Sequence, residues 1–140
     1  MKLIPGDIVC DLYGGVGLFT MPITKKIGNE GHVHLVEISN HSARDAFKIF
    51  KDYNNVSIHR GSVDRKLPKI NNIDIIILDP PRSGAGKKVI GQIISKKPRA
   101  VVYISCDPAS LARDAKFLYD SGYKLDKIKA VDLFPMTHHI

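Results

Sequence analysis

The sequence has only two cysteines and no apolar run long enough to cross a bilayer. Cys10 and Cys106 lie in unlike surroundings and lack metal-ligand spacing, so neither a disulfide framework nor a metal site is expected. The longest apolar stretch, IDIIILDPP, is too short for a membrane helix, and the start MKLIPGD lacks the apolar core of a signal peptide. These absences argue against a membrane role and favour a cytoplasmic location.

Acidic residues are outnumbered by basic ones. The chain has 21 Lys and Arg against 14 Asp and Glu, a formal net charge of +7 without a long charged run. A polyanionic partner such as RNA fits this charge, although small soluble proteins are also basic without binding nucleic acid. At 140 residues the chain has the size of one domain, and we expect a monomer.

Strand-like and helix-like segments alternate along the chain. Strands are predicted at 7–13, 32–38, 56–61, 73–81 and 99–106, helices at 17–28, 39–53, 86–97 and 108–122, and an edge strand within YKLDKIKAVDLF. Parallel neighbours need crossover connections, so this order predicts a doubly wound, Rossmann-like α/β sheet covered by helices on both faces. Ligands of such sheets bind beyond the carboxyl ends of the strands.

A glycine-rich turn follows the first predicted strand. In DLYGGVGLFT, Gly15 and Gly17 let the backbone approach a ligand, and Glu37 ends the second strand where a carboxylate accepts ribose hydroxyls. A dinucleotide also suits this pattern, but Thr20 replaces the third glycine that a pyrophosphate turn prefers. S-adenosylmethionine has no phosphate and is therefore favoured, with a purely structural turn as the alternative.

Two further strand ends carry chemically useful residues. LDPPRSG places Asp79 before two prolines that stiffen the backbone, which suits either a grip on a planar group or a merely rigid loop. In YISCDPAS, Cys106 precedes the N-cap candidate Asp107 and Pro108, so a helix N-terminus would stabilise its thiolate while the adjacent carboxylate opposes this. Cys10, inside a buried strand, is predicted to be a small core residue.

A methyl donor and a nucleophilic thiol together suggest methylation of uracil. C5 of uracil is a weak nucleophile until a thiolate adds at C6, and a base must later remove the C5 proton so that the thiolate can leave. The alternative is that Cys106 is structural.

Three separated motifs, LDPPRSG, VVYISCDPAS and VDLFPMTHHI, resemble the RNA uracil-5-methyltransferases that make 5-methyluridine in tRNA and 23S ribosomal RNA. The resemblance runs through nearly all 140 residues and implies a class I S-adenosylmethionine-dependent methyltransferase fold with RNA as partner. It implies that Cys106 is the nucleophile and that Asp79 lies between cofactor and target base. The cofactor contacts assigned with it are Asp11, Tyr13, Gly15, Gly17, Glu37, Ser62, Asp64 and Asp79, and the substrate contacts are Pro80 and Arg82.

The chain departs from the family pattern at several positions. Asp107 and Ser110 replace Asn and Thr, Gly14 stands where Cys is common, and Leu18 where Asn is frequent. The pattern also continues after Ile140 with the glutamate that acts as base and with a last strand. We therefore expect residues 1–140 to be the methyltransferase domain of a longer enzyme, with little turnover alone.

Other interpretations stay open from the sequence. A terminal histidine, His138 or His139, is a disfavoured substitute base. A methyltransferase acting on an exocyclic amine or a small molecule needs no thiol, and a non-catalytic cofactor-binding or RNA-binding module needs no base. RNA binding by this domain is expected to be weak and salt-dependent, through basic residues such as Lys87, Lys88, Arg99 and Arg113.

Overall fold

The computed structural model describes residues 2–131. Within this range the strands are β1 (Ile8–Leu12), β2 (His32–Glu37), β3 (Val56–Arg60), β4 (Ile75–Leu78) and β5 (Ala100–Tyr103). The helices are α1 (Thr20–Ile27), α2 (Asn40–Ile49), α3 (Val63–Lys66) with a 3-10 turn at Leu67–Lys69, α4 (Gly86–Lys96) and α5 (Pro108–Asp120). No helix in this part of the chain is long and apolar enough to span a membrane.

The strands form one parallel sheet in the order β3-β2-β1-β4-β5. In register, Leu12 of β1 lies between Val36 of β2 and Leu78 of β4. The chain winds outward from β1 to β3 and then returns to the other side of β1 with β4. The predicted doubly wound sheet is therefore confirmed, with its switch point between β1 and β4.

Alternating strand residues pack into two layers of core. On one face, Cys10 and Leu12 of β1 pack with Ile90 of α4 and Leu118 of α5. On the other face, Val9 packs in a separate cluster against α1, and Leu35 packs against α2. Cys10 is fully buried, which raises the pKa of its thiol, so its prediction as a core residue is confirmed.

The helix starts follow from capping residues. Ser39 precedes α2, and its Oγ accepts a hydrogen bond from the Ser42 N–H at 3.2 Å. Asp107 precedes α5, and its Oδ2 accepts from the Ser110 N–H at 2.8 Å, with Pro108 in the first helical position. Both predicted helix starts are therefore confirmed.

Two segments differ from the predictions. The predicted edge strand is wrong over residues 123–131, which form no strand. Leu125 and Ile128 there are 76% and 73% exposed, and their spacing of three places them on no common sheet face. Residues 132–134 lie outside the described range. The first helix begins at Thr20 rather than Gly17, because positive φ angles at Gly15 and Gly17 keep the chain in turns.

Candidate active site

The carboxyl ends of β1, β2, β4 and β5 meet at one edge of the sheet. Asp11 lies near the end of β1, Glu37 ends β2, Asp79 follows β4, and Cys106 follows β5. The topology therefore brings the predicted cofactor acids and the predicted nucleophile to the same edge, on both sides of the switch point.

In the glycine turn after β1, two of the three glycines are required by packing, and the third lies beside open space. A Cβ on Gly14 would lie 2.7 Å from Leu35 Cγ, and one on Gly17 would overlap the Phe50 ring. A Cβ on Gly15 would meet no atom within 4 Å, and Gly15 has a φ of 57°. Gly14 and Gly17 thus serve the packing of the turn itself, whereas Gly15 faces open space.

Glu37 is nearly buried and held by backbone donors. Its Oε2 accepts from the Gly15 N–H at 2.8 Å, and its Oε1 accepts from the Ser39 N–H at 2.6 Å. Each carboxylate oxygen can accept a second hydrogen bond. The carboxylate is therefore fixed in place with acceptor capacity left for a ligand.

Asp11 and Asp79 are carboxylates with raised pKa values. Burial, opposed by a 2.7 Å hydrogen bond from the Thr20 hydroxyl, raises the pKa of Asp11 to about 6, and the charges of Asp79 and Glu37 add to the rise. Desolvation also raises the pKa of Asp79, although its side chain reaches the surface. Three carboxylates close to one another make this part of the edge attractive to a cation.

A cavity of about 290 Å³ opens beyond the ends of β1 and β2. Its apolar wall contains Val36, Ile38, Val63 and Val89. Its remaining boundary includes Tyr13, Ser62 and Asp64, all predicted as cofactor contacts, together with Ala85 and Lys88. Apolar walls with a few polar groups are typical of a site for a planar organic ligand.

Asp64 is held at the rim of this cavity. Lys88 Nζ lies 3.0 Å from Asp64 Oδ2, an exposed ion pair between α3 and α4. Hydrogen bonds from Ser62 and Lys88 hold the pKa of Asp64 below its usual value. The carboxylate is therefore ionised and available as an acceptor beside Ser62.

Cys106 is exposed between β5 and α5. The adjacent loop after β4 brings a buried Pro80 and an exposed Arg82 to the same end of the sheet. Hydrogen bonds from Ser110, and then the positive charges of Arg82 and Arg113, hold the pKa of Asp107 below its usual value. Arg82 therefore acts electrostatically on the turn that carries Cys106.

The basic residues named from the sequence do not form one surface. Arg99 lies before β5, at the opposite end of the sheet from Cys106, where it pairs with Asp7 at 2.7 Å. Lys88 is paired with Asp64, and Arg113 contacts Asp114 at 3.0 Å. Arg99 is therefore a structural residue in this fold rather than part of the edge that carries the site.

Sequence reasoning missed two residues at this edge, Ile38 and Asp114. Ile38 is 65% exposed although apolar, and it follows Glu37 directly at the cavity wall. Asp114 acts through contacts between distant segments, which no local pattern reveals. The sequence indicates Lys88 only as a basic residue for RNA, and it does not predict the pairing of Lys88 with Asp64 beside the cavity. The sequence did contain one signal for Ile38, an apolar residue directly after the acid that ends a strand. The motif at 134–140, with His138 and His139, lies outside the described residues.

Solved structures similar to this fold include methyltransferases. The structure of Pyrococcus abyssi tRNA (uracil-54, C5)-methyltransferase with S-adenosyl-L-homocysteine matches with a TM-score of 0.79 and 29% identity over 98% of this chain and 33% of that one. Aeropyrum pernix fibrillarin, solved with S-adenosyl-L-methionine, matches in fold with a TM-score of 0.76 and 16% identity, covering 99% of this chain and 66% of that one. The fold is thus that of the Rossmann-like methyltransferases, as predicted.

The chain belongs to the tRNA (uracil-5-)-methyltransferase family, whose model matches residues 4–140. An RNA methyltransferase of Streptomyces avermitilis is 44% identical over 137 residues, covering 96% of this chain and 32% of the relative. The 23S rRNA (uracil(1939)-C(5))-methyltransferase RlmD of Shewanella sediminis is 40% identical over 148 residues, covering 100% and 32%. The predicted family is confirmed, and the chain spans about a third of the length of these relatives. Within residues 2–131, no group of three or more His, Cys, Asp or Glu is placed to hold a metal.

Proposed function

We propose that residues 1–140 are the methyltransferase domain of a cytoplasmic enzyme that uses S-adenosylmethionine to methylate C5 of uridine in tRNA or 23S rRNA. The observation that carries the proposal is the placement of an acid-rimmed apolar cavity and an exposed Cys106 at the same edge of the sheet. Family membership and the activities named for the Pyrococcus and Shewanella relatives support it. The domain is proposed to act as a monomer.

The residues around the cavity suit S-adenosylmethionine. Glu37 retains acceptor capacity for the ribose hydroxyls, Ile38 and Val63 suit the faces of adenine, and Ser62 with Asp64 suits its polar edge. Tyr13, Gly15 and Gly17 are proposed to line the methionine side. The donor supplies an electrophilic methyl group on a positively charged sulfur, and the neighbouring carboxylates of Asp11, Glu37 and Asp79 complement that charge.

Cys106 is proposed to activate the target base. Its thiolate forms an Sγ–C6 bond, and the electron pair of the C5–C6 double bond moves toward the C4 carbonyl, which makes C5 nucleophilic. After C5 has gained the methyl group, a base accepts the C5 proton, the double bond re-forms and the thiolate leaves. Pro80 and Arg82 are proposed to hold the base and its phosphate, with Asp79 between the two ligands. The proton acceptor is proposed to be the family's glutamate, which follows Ile140 in the family pattern.

Covalent trapping tests this mechanism. The chain is incubated with S-adenosylmethionine and an RNA containing 5-fluorouridine, whose fluorine a base cannot remove, and is then run on a denaturing gel. We expect a protein-RNA adduct with the wild type and with Cys10→Ala, whose cysteine is buried, but none with Cys106→Ala. In a full-length relative, unchanged 5-methyluridine formation after alanine replaces the matching cysteine would show that the thiol is structural.

A further inference from the structure

Asp114 is a fully buried residue of α5, and each oxygen of its carboxylate accepts at least two hydrogen bonds. Its Oδ2 accepts from the Ala85 N–H at 2.7 Å, from the Tyr103 hydroxyl at 2.7 Å and from the Gly86 N–H at 3.3 Å. Its Oδ1 accepts from Arg113 Nε at 3.1 Å and from a second Arg113 nitrogen at 3.0 Å. Burial opposes its ionisation, but these hydrogen bonds hold its pKa below the usual value. Such contacts make it an ionised, fixed group.

These contacts supply what the start of α4 lacks. Ala85 precedes α4 and has no side chain that could cap it. The N–H groups of Ala85 and Gly86, which have no partner within the helix, therefore donate to the carboxylate of Asp114, which lies 29 residues after Ala85 in the chain. Gly84 shows how close this approach is, because a Cβ there would lie 2.7 Å from Asp114 Oδ2. The end of the LDPPRSG loop is thus docked on α5 through one side chain.

The same carboxylate also anchors the strand that leads to Cys106. Tyr103 ends β5, and its hydroxyl both donates to Asp114 and accepts from the Ala85 N–H at 3.2 Å. Cys106 lies in the short turn between Tyr103 and α5, so the strand end before the turn is hydrogen-bonded to Asp114 and the helix after the turn carries Asp114. Ala85, on the other side, lines the cavity. One group therefore fixes a cavity residue relative to the turn that carries the thiol.

We infer that Asp114 is a positioning residue, which sets the loop from Asp79 to Gly86 and the Cys106 turn in the mutual arrangement that the reaction needs. This inference rests on the proposed function, since it assigns Asp114 a role in aligning cofactor, base and thiol. Asp114 itself touches neither reactant. Its effect passes through Ala85 and Tyr103.

The two cysteines allow positioning to be separated from folding. Iodoacetamide is small and needs no alignment, so its rate with exposed Cys106 reports access, while reaction of buried Cys10 reports unfolding. In Asp114→Asn we expect Cys106 alkylation within twofold of wild type and no reaction at Cys10. The rate of adduct formation with 5-fluorouridine RNA should fall about tenfold, and S-adenosylmethionine should bind several-fold more weakly, because charged hydrogen bonds to the loop are lost.

Three further variants complete the test. Asp120→Asn removes an exposed carboxylate from the same helix, where it pairs with Lys116 of α5 at 2.8 Å, and should leave every readout unchanged. Asp114→Ala should be worse than Asp114→Asn, whose amide oxygen still accepts from Ala85. Tyr103→Phe keeps the ring but removes the hydroxyl that contacts Asp114, and it should slow adduct formation about threefold. This variant keeps the inference testable if the Asp114 variants do not fold.

The outcomes distinguish the inference from the proposed function. Adduct formation at the wild-type rate in Asp114→Asn overturns the inference alone, as does a slow adduct in Tyr103→Phe that is accompanied by alkylation of Cys10, because the role is then structural. A wild-type chain that neither binds S-adenosylmethionine nor forms an adduct overturns the proposed function, and the inference with it. A slow adduct with Cys10 protected and Cys106 still accessible supports both.

Discussion

Around β1 and β2 the carboxylates are held by hydrogen bonds from neighbouring backbone and hydroxyl groups, whereas around β4 and β5 the reactive groups are exposed on segments that a buried carboxylate holds. Glu37 accepts from the backbone of Gly15 and Ser39, and Asp11 accepts from Thr20. Cys106 is exposed, and its turn is anchored through the buried Asp114. We call residues 11–17 with 37–39 the cofactor half and residues 79–86 with 103–107 the target half.

The difference suggests a division of labour between the two halves. A small cofactor is bound better by a site that is already ordered, because less conformational entropy is lost on binding. A large RNA must reach the thiol from outside, so the nucleophile has to remain accessible. The exposure of Cys106 leaves its thiol accessible to RNA, and the buried carboxylate of Asp114 holds the turn that carries it.

The largest expected effect concerns packing of the cofactor half. Gly17→Ala adds a methyl group that overlaps the Phe50 ring at a φ of 99°, so it should lower the free energy of unfolding by about 2 to 4 kcal/mol. Gly15→Ala is the matched control, because its φ is also positive but its surroundings are open, and it should cost about 1 kcal/mol. Urea unfolding of both variants measures this, and equal losses would contradict the assigned packing role of Gly17.

The next prediction concerns affinity in the cofactor half. Glu37→Gln removes the charge from a carboxylate that accepts two backbone hydrogen bonds, and S-adenosylmethionine should bind more weakly by about 1.5 to 3 kcal/mol. Calorimetric titration measures the loss. The control is Glu30→Gln in an exposed turn, which should change nothing. An affinity that survives Glu37→Gln would remove the ribose assignment.

The sequence predicted the local structure of the cofactor half better than the long-range contacts of the target half, for a physical reason. The Gly15 turn, Glu37 and the Ser39 cap of α2 depend on neighbours within one or two elements, and each leaves a local pattern. The docking of Ala85 on Asp114 joins segments 29 residues apart and leaves none. The predicted edge strand over 123–131 failed similarly, since a strand needs a neighbour that sequence alone does not specify.

The pH dependence of binding sharpens the contrast between the halves. The pKa of Asp11 is raised to about 6, so its carboxylate gains a proton as pH falls through 6 and loses its attraction for a cation. S-adenosylmethionine should therefore bind about three- to tenfold more weakly at pH 5 than at pH 7. Binding raises the ionised fraction of Asp11, so affinity increases with pH across this window. S-adenosylhomocysteine lacks the positive sulfur and should change less.

An equal pH dependence for the two ligands would contradict an electrostatic role of the Asp11 carboxylate toward the sulfonium. Asp11→Asn provides the second check, because it should flatten the profile for S-adenosylmethionine. Titrations at constant ionic strength keep screening unchanged between the two pH values.

The smallest expected effect is on RNA binding by the target half. Arg82 is exposed beside the Cys106 turn and lies close enough to Asp107 to lower the pKa of its carboxyl. If it contacts one phosphate, Arg82→Gln should weaken RNA binding about two- to threefold and reduce the slope of log affinity against log salt by about 0.7 to 0.9. Lys26→Gln is the control, since Lys26 lies in the last turn of α1 at the opposite end of the sheet and should leave the slope unchanged. Filter binding across a salt series measures both variants. Equal slopes for them would mean that RNA is attracted by the net charge of the chain rather than by the target half, and the distinction between the two halves would then hold for the cofactor alone.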